Sequence, residues 1–480
     1  MARILITTFG SSGDLNPFVA IGLGLRARGH QVTFAVEDNF QPTLSALDFP
    51  IAPLTGNAES ALMEQAHTLI TRATPMASLR ARGHQVTFAV EDNFQPTLSA
   101  LDFPIAPLTG NAESALMEQA HTLITRATPM ASLRALVNEV ILPSLRAQVE
   151  ELRVACADAD ILVSGAPMIP ASFAADLTQI RWASVALSPV FVPSAYTEPQ
   201  PLPFALPRWL QPWANRTSWA LGMMAVRRIY DVPINRVRAE YGLPPRRDLG
   251  QTGNLSRQLT AMAISPAYTP RPPDWPAWVR ETGFCFWDTP TDWQEPPELT
   301  AFLSGERPVV ALSSGSMSDR VGDAFNPMFR AGVAAIRQAG ARALVIGAPP
   351  EALPDPLSED IFALPFAPFS RVYPRCAAVI HHGGIGTLAQ SLRAGVPALV
   401  VPWGVDQFFA GAQLTRVGAG RWMHRTAFTS GRGAREVAML LDDPTYRKRA
   451  QAIARQIAAE DGVAAFADLL EKLITHKVKP

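Results

Sequence analysis

The sequence has very few lysines, and their positions exclude several classes of enzyme. Only four occur among 480 residues, all within the last 33 positions: Lys448, Lys472, Lys477 and Lys479. No lysine follows a glycine-rich loop, so a P-loop NTPase and a protein kinase are excluded. A Schiff-base enzyme would have to use a lysine from the extreme C-terminal segment, which argues against that chemistry.

Cysteines and long apolar runs are also scarce. The cysteines Cys156, Cys285 and Cys376 stand far apart without a C-x-x-C pair, which indicates a reduced chain rather than a disulfide- or zinc-stapled one. No uncharged stretch reaches the roughly 18 residues that a membrane span needs. The first ten residues hold too short an apolar run for a signal peptide. We therefore expect a cytoplasmic protein.

Charge of either sign is not in excess. The 42 basic and 42 acidic residues leave a formal net charge of zero, which argues against a nucleic-acid binder that works by phosphate neutralisation. Apolar residues make up 48% of the chain, enough for a large core. At typical domain sizes the length predicts roughly two to four domains.

The chain contains an identical tandem repeat. Residues Leu25 to Ala81 recur without a change as Leu79 to Ala135, displaced by 54 positions. Solenoid units diverge and need about three copies to bury their faces, so two identical copies indicate a recent duplication or an assembly error. Removing one unit leaves 426 residues. The sequence leaves open which copy belongs to the fold.

Two halves of the chain follow the same alternating pattern. In the first, a strand over 4–9, the loop Gly10-Ser-Ser-Gly-Asp14, a helix from Pro17 and a strand over 30–36 form a βαβ unit. After a Pro- and Trp-rich stretch the pattern restarts with a strand over 308–313. We predict an α/β fold of two doubly wound Rossmann-like domains facing across a cleft, with an N-terminal domain over 1–288, a linker over 289–300 and a C-terminal domain over 301–480.

The most informative string is His381-His-Gly-Gly-Ile-Gly-Thr-Leu-Ala-Gln390, which leaves a strand and enters a helix. Glycines allow close approach of the backbone, and the N-terminus of a helix attracts an anion. The two histidines at its mouth can donate hydrogen bonds to phosphate oxygens. The spacing Gly384-x-Gly386-x-x-Ala389 with Asp406 further on also fits an NAD(P) site of an oxidoreductase. A purely structural glycine turn is the third interpretation.

The string forms part of a longer pattern that resembles a known family. Phe366-Ala-Pro368, the histidine loop, Ala394-Gly-Val-Pro397 and Pro402-Trp-Gly-Val-Asp-Gln407 follow one another over about forty residues. This pattern resembles the inverting GT-B glycosyltransferases of the UDP-glycosyltransferase superfamily. It is most similar to bacterial rhamnosyltransferases and to glycopeptide-antibiotic and sterol glucosyltransferases. The resemblance implies that the last helix packs back on the N-terminal domain.

The resemblance implies which residues hold a nucleotide-sugar donor. Phe366 would stack on a uracil or thymine, and Ser316 would approach the nucleotide. Four residues of the histidine loop would hold the diphosphate: His382, Gly384, Gly386 and Thr387.

The remaining donor contacts are also implied by the resemblance. Gln390 stands where plant members have a ribose-binding Glu, while Asp406 and Gln407 would bind the hydroxyls of the donor sugar. The sequence departs from plant members at Phe369, where a ribose-binding Gln is usual.

The first glycine loop carries Asp14, whose charge would repel a diphosphate. It suits a different role, because an acceptor hydroxyl must lose its proton as it attacks, and a carboxylate facing the cleft can accept that proton. The loop is similar to that of antibiotic and sterol glucosyltransferases, with Asp where most members have His. The alternative is that Asp14 caps the following helix; both roles are compatible.

These residues predict an inverting transfer of a hexose from a UDP- or dTDP-sugar to a hydroxyl. Asp14 would deprotonate the acceptor, and His382 with the helix N-terminus would stabilise the departing diphosphate. No ligand cluster for a metal is found in the sequence, so no metal or other cofactor is expected. A non-catalytic relative, disabled by its duplication, is an open alternative.

The resemblance implies that the acceptor site lies between Phe191 and Tyr230. This stretch has six prolines, three tryptophans and four arginines against one acid, Glu198. Such a lining favours an apolar acceptor, either lipid-like or polycyclic. The same residues also suit contact with the inner face of a membrane, and ordinary packing is the alternative. Oligomeric state is left open.

Overall fold

The computed structural model describes most of the chain. The described residues are 1–9, 12–37, 40–54, 88–90, 105–107, 129–197, 207, 209–288, 293–315 and 322–475. Of the predicted site residues, Ser316 lies outside this set.

The N-terminal half is built on a parallel sheet. Within the described residues it has seven strands in the order β3-β2-β1-β6-β7-β8-β9. The strand order reverses between β1 and β6, which are hydrogen-bonded neighbours although they are far apart in sequence. The strands are β1 (Arg3–Thr7), β2 (Gln31–Val36), β3 (Ile51–Pro53), β6 (Ile161–Gly165), β7 (Arg181–Ala186), β8 (Leu259–Met262) and β9 (Val279–Glu281).

The first copy of the repeat supplies two strands of this seven-stranded sheet, which we call the central sheet. Its strands β2 and β3 pair in register, with Phe34 opposite Ile51. The second copy repeats the pairing between β4 (Phe88–Val90) and β5 (Ile105–Pro107), with Phe88 opposite Ile105, but in a separate two-stranded sheet. One sheet position cannot hold two identical strands, so the second pair is excluded from it. The structure thus resolves which copy belongs to the central sheet.

The helices of this half cover the sheet and extend away from it. A π-helical turn over Leu136–Ile141 joins α3 to α4. The helices are α1 (Ser12–Ala27), α2 (Gln41–Ser45), α3 (Pro129–Ala135), α4 (Leu142–Ala155), α5 (Ile169–Thr178) and α6 (Gln211–Glu240).

The first helix begins earlier than predicted. We expected it to open at Pro17, but α1 begins at Ser12 and Pro17 lies inside it. A proline within the first turns removes one backbone donor, which leaves the carbonyl four residues earlier, that of Gly13, without its usual helical partner. Asp14 is therefore a first-turn residue, not the residue that precedes the helix.

The C-terminal half repeats the architecture with a six-stranded parallel sheet among the described residues, in the order β12-β11-β10-β13-β14-β15. Its strands are β10 (Val309–Ser313), β11 (Arg342–Ile346), β12 (Ile361–Leu364), β13 (Ala378–His381), β14 (Ala398–Val400) and β15 (Gly420–Trp422). The predicted α/β class with two Rossmann-like sheets is confirmed.

The C-terminal helices flank this sheet, and one lies inside the predicted linker region. Helix α7 begins at Pro297, before the predicted domain start at 301. The helices are α7 (Pro297–Leu303), α8 (Asn326–Gln338), α9 (Phe369–Val372), α10 (Ile385–Arg393), α11 (Val405–Arg416), α12 (Ser430–Asp442), α13 (Pro444–Ala458) and α14 (Gly462–Thr475).

Contacts between the two halves fix their relative position. Helix α14, the last of the chain, packs on α1 and places the fully buried Phe466 in the core of the N-terminal half. Tyr268, also fully buried, donates a hydrogen bond from its hydroxyl to the carbonyl of Ala410 over 2.9 Å. An apolar cluster continues from the first sheet into the second through these contacts. These contacts thus hold the two sheets in place on either side of the cleft.

We expect the 426-residue chain that lacks residues 55–108 to fold with an unchanged melting temperature. The deletion removes β4 and β5 but none of the strands of the central sheet, and it restores the sequence of one uninterrupted repeat unit. Calorimetric melting of both chains measures this. A large fall in the melting temperature would show that the second copy stabilises the fold.

Candidate active site

The loops that carry the predicted site residues leave the carboxyl ends of the two sheets. The first loop follows β1 and the second follows β13, and each lies at the point where its strand order reverses. Ligands of doubly wound sheets bind at this point. The helices that follow meet across the cleft: a Cβ placed on Gly386 of α10 would lie 3.5 Å from Cα of Gly13 of α1. A Cβ at Gly386 would therefore be in ordinary van der Waals contact with the opposite half.

A cavity of about 300 Å³ opens beside this contact. Its wall comes from both halves and from the segment that joins them. The predicted donor residues that line it are Phe366, Gly386, Thr387 and Gln390. We call it the donor-side cavity.

His382 lies behind the wall of the donor-side cavity. Its ring fills the space that side chains would take at two glycines: a Cβ on Gly315 would be 2.7 Å from Cε1, and one on Gly384 would be 2.4 Å from Nε2. Burial lowers the pKa of His382 to about 4, so the imidazole is neutral near pH 7. Its Nδ1 atom is buried without a partner among the described residues. A neutral ring can still donate one hydrogen bond, but it brings no positive charge.

The neighbouring histidine does not lie at the mouth of the loop. His381 is fully buried at the end of β13, and its Nδ1 accepts a hydrogen bond from the backbone N–H of Gly383 over 3.0 Å. Burial lowers the pKa of His381 to about 3. The expectation that both histidines face phosphate oxygens is therefore wrong for His381, because its acceptor atom orders the loop itself.

Aromatic side chains surround the entrance of the donor-side cavity. Phe366 lines it and keeps 50% of its surface exposed. Its ring is therefore accessible for stacking. Phe369 instead stacks on the buried Tyr373, with ring centroids 4.5 Å apart. Phe286 and Trp287, at the end of the predicted N-terminal domain, also line the cavity, and neither was predicted as a site residue. The chain must cross the cleft where it enters the linker, and that was the available signal.

A second cavity, of about 640 Å³, adjoins the first. The two share Leu187 and Ile385, the first residue of α10. We call this second space the acceptor-side cavity. Asp14 from the N-terminal half and Asp406 from the C-terminal half both line it. Burial, and then the nearby charge of Asp14, raise the pKa of Asp406 to about 6.

The two predicted sugar-binding residues differ in their surroundings. Asp406 lies in the first turn of α11 and faces the acceptor-side cavity. The amide oxygen of Gln407 accepts hydrogen bonds from the backbone N–H groups of Trp403 (2.7 Å) and Gly404 (2.9 Å). Its oxygen therefore orders the turn before α11, and its amide nitrogen is the group left to donate to a ligand.

Helix α6 forms one wall of the acceptor-side cavity, which places part of the predicted acceptor region there. Phe191 and six residues of this helix line the cavity: Ser218, Trp219, Gly222, Met223, Val226 and Tyr230. Helix α3, from the end of the second repeat copy, contributes Met130 and Leu133. The sequence did not predict these two residues, because a residue in either of two identical copies cannot be assigned to one place in the fold.

The described residues contain neither a candidate membrane span nor a candidate metal site. None of the helices that the structure describes is long and apolar enough to cross a membrane. In the same part of the chain no group of three or more His, Cys, Asp or Glu side chains could hold a metal ion. Independence from metal stays a prediction.

Two Rossmann-like domains with cavities at their facing carboxyl edges define the GT-B class of glycosyltransferases. Family models agree in both halves: residues 4–74 match the glycosyltransferase family 28 N-terminal domain, and residues 346–473 match the erythromycin biosynthesis protein CIII-like C-terminal domain.

Relatives align with nearly the whole chain. It is 31% identical to O-mycaminosyltylonolide 6-deoxyallosyltransferase of Streptomyces fradiae, over 98% of this chain and 97% of that one. It is 23% identical to a sterol 3-beta-glucosyltransferase of Aspergillus clavatus, over 99% of this chain and 30% of that one. The solved spinosyn rhamnosyltransferase SpnG complexed with thymidine diphosphate has a TM-score of 0.58 at 20% identity, with 98% and 100% coverage.

The chain belongs to the family of GT-B glycosyltransferases that includes the Streptomyces deoxyallosyltransferase. The enzyme is a glycosyltransferase, and the alternative of an NAD(P)-linked oxidoreductase is wrong. Glycine spacing of this kind does not discriminate between the two classes, because a glycine turn before a helix N-terminus suits any anion-binding site.

We expect Gly315→Ala to destabilise the protein more than Gly340→Ala. Both glycines have positive φ, 63° and 75°, so both variants carry a backbone cost of about 1 kcal/mol. Only at Gly315 would the new Cβ also press on His382 and Thr387, whereas the space at Gly340 is open. Overpacking adds about 1–3 kcal/mol. Melting temperatures measure the difference, and equal losses would contradict the packing of His382 against Gly315.

Proposed function

We propose that this enzyme transfers a hexose from a UDP- or dTDP-sugar to a hydroxyl of an apolar acceptor, with inversion at the anomeric carbon. The observation that carries the proposal is the junction of two cavities at Ile385. The histidine loop (381–390) borders one of them, and Asp14 lines the other. A sugar at the junction would have its leaving group on one side and the acceptor on the other. That opposed arrangement is what direct displacement requires.

The donor-side cavity suits a nucleoside diphosphate. The N-terminus of α10 offers backbone N–H groups to the diphosphate, and the exposed ring of Phe366 offers a face to the base. Because His382 is neutral, the stabilisation of the leaving diphosphate would come from hydrogen bonds and the helix dipole rather than from an imidazolium. The related fold of spinosyn rhamnosyltransferase, complexed with thymidine diphosphate, supports this type of donor.

Asp14 is the proposed base. In this mechanism its carboxylate takes the proton of the acceptor hydroxyl, the oxygen forms a bond to the anomeric carbon, and the bond from that carbon to the diphosphate oxygen breaks with its electron pair. Asp14 belongs to the first turn of α1 at the cleft, so the helix start stabilises the charge that the carboxylate holds before the reaction. This position supports the base role.

The acceptor-side cavity suits a bulky apolar molecule. Its volume lies within the range of typical small-molecule sites. Its wall includes Phe9, Phe18, Trp219 and Met223, with few polar groups besides Asp14 and Asp406. The names of the relatives indicate a glycosylated tylonolide in one and a sterol in the other. Both support a lipid-like or polycyclic hydroxyl compound as the acceptor here.

The outer face of α6 supports a contact with a membrane surface. Trp213, Leu221 and Met224 of the helix, and Trp209 just before it, expose between 63% and 80% of their surfaces, which is costly for apolar side chains in water. Arginines 216 and 228 are exposed on the same helix, and the sequence has no acid between Glu198 and Asp231. Such a face suits an anionic bilayer. The opposite face of the helix lines the acceptor-side cavity, so an apolar acceptor would reach its site from the bilayer.

We expect Asp14→Asn to lower kcat by about 10²–10⁴-fold, because an amide cannot accept the acceptor's proton. Donor binding should stay within about twofold, since Asp14 faces the other cavity. The assay measures sugar transfer from a UDP- or dTDP-sugar to a panel of macrolide and sterol alcohols, with the anomer of the product determined by NMR. Asp158→Asn, an exposed carboxylate elsewhere, is the control. Retention of the donor anomer, or full activity of Asp14→Asn, would contradict the mechanism.

We expect the protein to sediment with vesicles of phosphatidylcholine that contain phosphatidylglycerol, and the double variant Trp213→Ser, Met224→Ser to lose at least about tenfold in partitioning. Val154→Ser is the matched control, because Val154 is equally exposed, at 63%, on α4. A wild-type protein that stays in the supernatant, or an equal loss in the control, would contradict the membrane contact.

A further inference from the structure

Gln390 lies in a network that ties the segment between the halves to α10. Its Nε2 group donates a hydrogen bond to Oδ1 of Asp288 over 3.3 Å. The guanidinium of Arg393, one turn further along α10, donates to both oxygens of the same carboxylate at 2.8 and 2.9 Å. Arg393 also covers the ring of Phe286, 4.6 Å from its centroid. Asp288 is thus the common acceptor of two side chains from one face of α10.

This network determines which way the amide of Gln390 points. A carboxylate has only acceptor atoms, so it must face the amide nitrogen of Gln390 and not the oxygen. The amide oxygen is consequently turned away from Asp288. It is buried and has no hydrogen-bond partner among the described residues, while Gln390 itself lines the donor-side cavity. A buried acceptor without a donor is costly and calls for a ligand that supplies one.

The position of Gln390 indicates which part of a nucleotide supplies that donor. Diphosphate oxygens near neutral pH and Gln390 Oε1 are both acceptors and cannot pair. Gln390 stands five residues beyond Ile385, about 7–8 Å along the helix from the anion-binding end. Phe366, on the same cavity, is the stacking face for the base. Between a diphosphate and a base lies the ribose, whose hydroxyls are donors.

We propose that Asp288 is a positioning residue that holds the Gln390 amide so that its oxygen accepts a hydrogen bond from a ribose hydroxyl of the donor nucleotide. The inference rests on the proposed function, because it needs a nucleoside diphosphate in the donor-side cavity. Asp288 itself does not line the cavity; it acts through Gln390. Asp288 belongs to the segment that joins the halves. Donor recognition therefore depends on how that segment packs against α10.

The test compares nucleotides that have or lack ribose hydroxyls. Calorimetry measures Kd for UDP and 2′,3′-dideoxy-UDP, and for dTDP and 3′-deoxy-dTDP. In the wild type we expect a preference for the hydroxylated member of about tenfold, the value of one good hydrogen bond. In Asp288→Ala the preference should fall to near one, because the amide can rotate. The Kd of the dideoxy compound should not change. Glu298→Ala, another exposed carboxylate, is the control.

A swap of the two groups separates orientation from general loosening. Gln390→Glu alone places two carboxylates side by side and should lose affinity for the hydroxylated nucleotide. Asp288→Asn combined with Gln390→Glu restores a donor facing an acceptor, so the preference should return. Equal weakening of both nucleotides by Asp288→Ala, an unchanged preference, or no rescue by the swap would overturn the proposal. If the wild type binds neither UDP nor dTDP, the proposed function fails and this inference fails with it.

Discussion

The close approach of two helix starts governs the arrangement of this enzyme. Gly13 of α1 and Gly386 of α10 have no side chains, so the carboxyl edges of the two sheets can meet across the cleft. Ile385 stands at that contact and borders both cavities. The positive ends of both helices are therefore directed at one place.

Charge is distributed unevenly about this contact. The donor side has backbone donors and a neutral histidine, whereas the acceptor side has two carboxylates, Asp14 and Asp406, from opposite halves. Burial, and then the nearby charge of Asp14, raise the pKa of Asp406. Because these acids come from different halves of the chain, their interaction depends on how the two halves are packed together.

The duplication is accommodated because the fold needs only one copy of each strand. The central sheet takes β2 and β3 from the first copy, and the acceptor-side cavity takes α3 from the end of the second. The inserted unit is one whole repeat, so the sequence on either side of it is that of a single-copy chain. The two cavities at the carboxyl edges of the sheets are present despite 54 additional residues.

The sequence by itself determined the two α/β halves and the loop of His382, since alternating strands, helices and glycine turns are local patterns with local causes. It also indicated Phe366, Thr387 and Gln390, which the structure gathers around one cavity. The burial of His381, the capping role of Gln407 and the choice between repeat copies could not be predicted, because each depends on packing between distant segments. Only the tertiary structure decided that Asp288 faces Gln390 and that Asp14 faces Asp406, since these pairs form when the two sheets are brought edge to edge.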